Sequence, residues 1–198
     1  MRMKKAAVGF RVHSGWSAAV VVSVEDGEPV VLRRVRMQMV KTFSYAYRQP
    51  YHTAEKMEIG EAGEFVAAVR TEAEELTCAA LRGLREELKK LGWLVDRGVL
   101  LLASGRALPE FARILASHAL IHTADGELFR AAIRAACGRS GLRVMEIRER
   151  ELVGGCAEKF AMRGPAMLRR ATELGRGFGA PWTQDEKFAT LGAWWALV

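Results

Sequence analysis

The first forty residues leave little choice of local structure. Residues 16–24 (WSAAVVVSV) form an almost unbroken apolar, β-branched run, the pattern of a strand covered on both faces. Asp26-Gly27 follows, and this pair signals a two-residue hairpin because both turn positions can take a positive φ. Ahead of the run, residues 5–12 alternate: Val8, Phe10 and Val12 fall on one face, Ala7, Gly9 and Arg11 on the other. After it, residues 29–40 set Val31, Val35, Met37 and Met39 against Leu32, Arg34, Arg36 and Gln38. Three consecutive antiparallel strands are predicted.

The period then changes. Residues 41–57 show no regular spacing but hold all three tyrosines (Tyr45, Tyr47, Tyr51) with Arg48, Pro50 and His52. A loop of this length is expected to serve either a site or as a cover over one end of the sheet. Residues 61–91 repeat apolar side chains at three- and four-residue steps, from Ala62 and Val66 to Leu88 and Leu91, and Gly92 supplies a stop. The acidic start and basic end of this long helix suit its dipole, so its glutamates are not read as metal ligands. A buried strand at 98–103, a helix at 109–117, a helix at 125–137 and a strand at 142–147 follow. Pro165 opens a helix that Gly175 ends, and the last helix carries a capping box of Thr183 and Glu186. No linker or repeat divides the chain, so residues 1–198 are expected to form one domain.

Composition narrows the class. Half of the residues are hydrophobic and 27% charged, a globular profile. No apolar stretch reaches the ~18 residues of a membrane span, and no signal peptide is visible. Cys78, Cys137 and Cys156 lack paired spacing, which points to reduced thiols and a cytoplasmic setting. The net charge of +7 is uneven. Residues 1–57 carry ten basic and four acidic side chains, 58–129 eight and twelve, and 130–198 twelve and seven. The basic ends offer a surface to nucleic acid, although along the sequence no aromatic residues interleave the arginines. There is no GxGxxG, no Walker-type loop and no nucleophile elbow, and no cofactor or metal is expected.

Three antiparallel strands, then helix, strand, helix, strand and helix, is the order of the ribonuclease H-like fold: an α/β, mixed five-stranded sheet with flanking helices. The chain resembles the RuvC-type Holliday-junction resolvase branch. Gly9-Phe10-Arg11-Val12-His13-Ser14-Gly15-Trp16 stands where that family has its GIDPG strand and turn. Gly126-Glu127-Leu128 through Gly141-Leu142-Arg143-Val144, then Ala157-Glu158-Lys159, matches its central helix, strand and lysine-bearing segment. Asp185 to Leu191 corresponds to its final aspartate-bearing helix. The resemblance implies two-metal phosphodiester cleavage, which needs carboxylates converging on ions ~4 Å apart. Here Arg11 occupies the first-strand aspartate position, Ala103-Ser104-Gly105 the second acidic position, and only Asp185 and Glu186 lie near the last. An arginine repels magnesium, so the expected role is a binding or scaffold module without metal-dependent nuclease activity, with a homodimer as one form it can take.

An alternative is a nucleic-acid enzyme with a rebuilt site around His13, His118, His122 and Glu127. His118 and His122 are four apart, a chelating spacing on a helix. Thr123 and Asp125 read as caps of the following helix, however, which places both histidines ahead of it. Arg11, His13, Ser104 and Arg106 are candidates for a cationic pocket for a phosphate or carboxylate, with His52 folded over the same end and Asp185 beside it. A buried pair between Arg11 and Glu127 is the purely structural expectation.

Overall fold

The computed structural model describes residues 3–103 and 107–198. β1 (Lys4–His13), β2 (Trp16–Glu25) and β3 (Glu28–Gln38) form an antiparallel meander. β4 (Trp93–Leu102) runs parallel to β1, and β5 (Arg143–Arg148) parallel to β4, giving the sheet order β3-β2-β1-β4-β5. The β2–β3 turn is the predicted one: Asp26 and Gly27 have φ of 51° and 84°, as a type I′ hairpin requires.

One face of the sheet is covered by α3 (Ile59–Lys90) and α5 (His118–Arg139), which pack on Val8, Phe10, Val21 and Leu100. The other is covered by α6 (Glu149–Lys159), α7 (Gly164–Leu174) and α8 (Gln184–Leu197), which pack on Val20, Val22, Val99 and Leu101. Burial on both faces explains the unbroken apolar run of β2. The expected single face of β3 is split by a bulge, because the register with β2 slips between Val21 and Val22. Val31 therefore joins the α8 side while Met37 and Met39 join the α3 side.

Other departures are local. Residues 41–57 are not an irregular loop throughout, because they contain α1 (Tyr45–Arg48) and α2 (Pro50–Ala54). The helix expected at 109–117 shortens to α4 (Phe111–Leu115), and β4 starts five residues before the predicted strand. α6 has Glu149 and Glu151 in its first turn and Lys159 in its last, as a helix dipole favours, but Gly154 and Gly155 inside it weaken the helical signal. Its position is set by packing: a Cβ on Gly155 would come within 2.0 Å of the Trp195 ring. Gly9 has the same role in β1, where a Cβ would meet the Ala189 carbonyl oxygen at 1.9 Å, so only glycine lets α8 lie flat on the strand. Among the described residues, no helix is long and apolar enough to cross a membrane.

Candidate functional site

Strand alternation sends Gly9, Arg11 and His13 toward α8. Arg11 grips Glu149, the first residue of α6, with both prongs of its guanidinium: Nε donates to Oε2 at 2.9 Å and Nη2 to Oε1 at 2.7 Å. Its Nη1 donates to Asp185 Oδ1 in the first turn of α8. His13 Nε2 lies 2.9 Å from the same Asp185 oxygen. The expected pair between Arg11 and Glu127 is not formed. Glu127 instead pairs with Arg130 and Arg134 of its own helix, and Arg134 also reaches Glu146.

The charges of this cluster are tied together. Burial alone would raise the Asp185 carboxyl, but the charge and hydrogen bond of His13, with those of Arg11, outweigh it and hold Asp185 below its ordinary range. The Glu149 hydrogen bonds, against desolvation, push the Arg11 guanidinium up. Glu186 is engaged elsewhere, closing the predicted capping box: its Oε2 accepts from the Thr183 amide at 2.6 Å. Two metal ions need several free carboxylates on one point. Here a cation occupies that point, holding both oxygens of Glu149 and one of Asp185, so this donor set does not fit a two-metal centre. Ser104 and Arg106, also expected at this end, lie outside the described residues.

Beside the cluster the chain builds in space what it lacks along the sequence. His13 stacks on Trp16 with ring centroids 4.4 Å apart. The Arg36 guanidinium sits 3.7 Å from the centroid of the same Trp16 ring and 5.7 Å from that of Phe43. Arg48 lies 4.5 Å from the Phe43 centroid. Phe43 and Tyr45 are exposed. A groove of about 480 Å³ adjoins this strip at Trp16 and Arg36 and is lined further by Arg34, Pro181, Asp185 and Glu186. The exposed rings of Phe43 and Tyr45 can stack on bases while the neighbouring guanidiniums face phosphates.

On the opposite face of the sheet, α5 begins at His118, not at residue 125. Thr123 and Asp125 are therefore interior residues of the helix and not its caps, and His118 and His122 stand one turn apart on it. Their Nε2 atoms are 3.0 Å apart. His52 on α2 does not fold over Arg11; it packs against this pair, at 5.3 Å from the His118 ring and 4.3 Å from the His122 ring. Asp125 is buried, accepts from the Tyr51 amide at 2.7 Å, and holds His52 Nδ1 at 2.5 Å. Burial pushes its carboxyl up, against the lowering by these hydrogen bonds. Glu127 follows His122 by five residues, about 140° around the helix, and its partners hold it toward β5. Thus His118 and His122 come together with His52, while His13 binds Asp185 and Glu127 joins neither group.

Sequence reasoning missed Glu149, Asp125 and the Trp16–Arg36–Phe43 strip. The acid directly after β5, at the same carboxyl end of the sheet as the end of β1, is the available signal for Glu149.

No protein-family model and no curated protein matches this sequence. Solved structures do match in fold. RuvC of Thermus thermophilus in complex with a Holliday junction substrate is 12% identical with a TM-score of 0.54, covering 96% of this chain and 90% of that one. A second Thermus thermophilus RuvC structure is 12% identical with a TM-score of 0.50, covering 95% of this chain and 90% of that one. With its five-stranded mixed sheet and flanking helices, the chain has the ribonuclease H-like fold of the RuvC resolvases.

Proposed function

We propose that this protein is a nucleic-acid-binding module on a ribonuclease H-like scaffold, without metal-dependent cleavage at the end of the sheet where such folds gather their carboxylates. The observation that carries the reading is the Arg11 fork on Glu149 with its third bond to Asp185. A metal ion would have to displace a guanidinium from both acids, which costs the protein its own ion pairs. In place of metal chemistry the same end offers the Trp16–Arg36–Phe43 strip and the groove that adjoins it at Trp16 and Arg36. The net charge of +7 favours a polyanionic partner. The RuvC structure bound to a Holliday junction substrate makes branched DNA the first ligand to try.

The test uses a fluorescent four-way DNA junction and a single strand of equal length. Binding is expected at low salt and should weaken steeply as salt rises, because released counterions set the slope. Magnesium or manganese should not start cleavage. Arg11→Asp replaces the blocking cation with a third carboxylate, and magnesium should then raise the melting temperature of that variant but not of the wild type. Cleavage by the wild-type protein that is abolished by Asp185→Asn refutes the proposal, as does the absence of binding to either DNA at low salt.

A further inference from the structure

We propose that His52, His118 and His122 form a binding site for a divalent transition-metal ion of the zinc type, oriented by Asp125 and separate from the Arg11 cluster. One ring nitrogen from each histidine lies within 4.8 Å of the other two. A tetrahedral zinc with Zn–N bonds of 2.0–2.1 Å sets its ligand nitrogens about 3.3 Å apart. The 3.0 Å between His118 Nε2 and His122 Nε2 already meets this spacing, and a side-chain shift on the order of 1 Å brings in the third.

The surroundings of His52 are those of a ligand. It is 8% exposed, and its Nδ1 is held by buried Asp125, so Nε2 is the nitrogen left to face the pair. A ligating histidine characteristically passes its other ring nitrogen to a carboxylate, which fixes the tautomer and raises the basicity of the ligand. Asp125 is itself anchored by the Tyr51 amide, so the α2 backbone, the carboxylate and the ring form one rigid unit. His118 and His122 are both exposed and gain little from burial by converging there. Their exposure leaves the fourth coordination position open to water or a ligand. Three neutral imidazoles select zinc, copper or nickel over magnesium or calcium, which take oxygen ligands. The site thus asks for a different ion from the one the fold's nuclease chemistry uses.

The test titrates the apo-protein with zinc chloride by calorimetry and with cobalt chloride by visible absorption. The expected result is one ion per chain, a cobalt d–d band of four-coordinate intensity, and three imidazole nitrogens in the zinc X-ray absorption spectrum. His122→Gln lies on the exposed helix surface and should weaken zinc binding at least tenfold with an unchanged melting temperature of the apo-protein. Asp125→Asn should weaken it about 10–100-fold and shift the cobalt band, which a purely structural role for the carboxylate would not do. His52→Gln separates a three-histidine site from a simple surface pair: zinc affinity equal to wild type overturns the proposal. Should that variant not fold, the imidazole count in the wild-type spectrum decides, and a count of two or fewer overturns it. So does the absence of saturable binding of either metal by the wild type.

Discussion

Replacing Arg11 by leucine keeps the bulk of the side chain's stem and removes the three charge-assisted bonds that Arg11 makes from β1 to the starts of α6 and α8, leaving His13 on Asp185. The loss comprises two bonds to Glu149 and one to Asp185. Breaking a fully buried pair costs about 3–5 kcal/mol, and breaking an exposed one about 0–1 kcal/mol. The side chains of Arg11 and Asp185 are 18% exposed and that of Glu149 33%, which places this cluster nearer the buried limit but screened by water. The expected destabilisation is about 3 kcal/mol at neutral pH, or roughly 6–12 °C in Tm for a chain of this length. Arg11→Lys keeps a charge but not the planar fork, and should lose about half as much. The pH dependence has a definite sign. Asp185 has a depressed pKa in the folded protein, so its contribution is full above the unfolded value of about 3.9 and is lost as pH falls through the folded value. Urea unfolding of both proteins at pH 7 and at intervals down to pH 2 reads the effect. The gap between wild type and Arg11→Leu should be constant near neutrality and narrow below about pH 4. A gap under about 1 kcal/mol, or one that does not narrow in acid, refutes the view that this ion cluster ties the sheet to its helices.

Gly9→Ala should destabilise by about 3 kcal/mol or more in urea unfolding, because its Cβ meets backbone of α8 and no rotamer can yield; a loss below about 1 kcal/mol contradicts the close approach. Trp16→Ala and Arg36→Ala should each weaken single-stranded DNA binding about tenfold, with Arg36→Ala also reducing the salt slope by about 0.7; unchanged affinity in both places the interface elsewhere. Burial pushes the Cys137 and Cys156 thiols up to about 12, so Ellman's reagent at pH 8 should leave both unmodified until urea is added; rapid labelling of the folded protein contradicts this burial.

Much of the architecture is legible in local pattern. The β1–β3 meander, the Asp26-Gly27 turn, the long α3 and the Thr183–Glu186 capping box each depend on residues within one segment, so periodicity and turn chemistry suffice to find them. α6 and the start of α5 do not show this way. The two glycines inside α6 argue against a helix, and only the Trp195 ring seated on Gly155 shows why a glycine stands there. Asp125 has the chemistry of a cap, but α5 already begins at His118, and the carboxylate is turned inward onto His52 and the Tyr51 amide.

The sites divide in the same way. The sequence alone established that an arginine stands at the first-strand position where the fold expects an acid, and that two histidines stand four residues apart, though it set them ahead of the helix that in fact carries them. Which groups these side chains meet is decided by tertiary structure. Arg11 finds its partners 138 and 174 residues away, and His52 finds Asp125 73 residues away. Such encounters are set by how strands order in the sheet and how helices lie across it, and no local period in the chain encodes them. The missing acid was therefore visible from the residues themselves, whereas the closed ion cluster and the three converging histidines exist only in the folded chain.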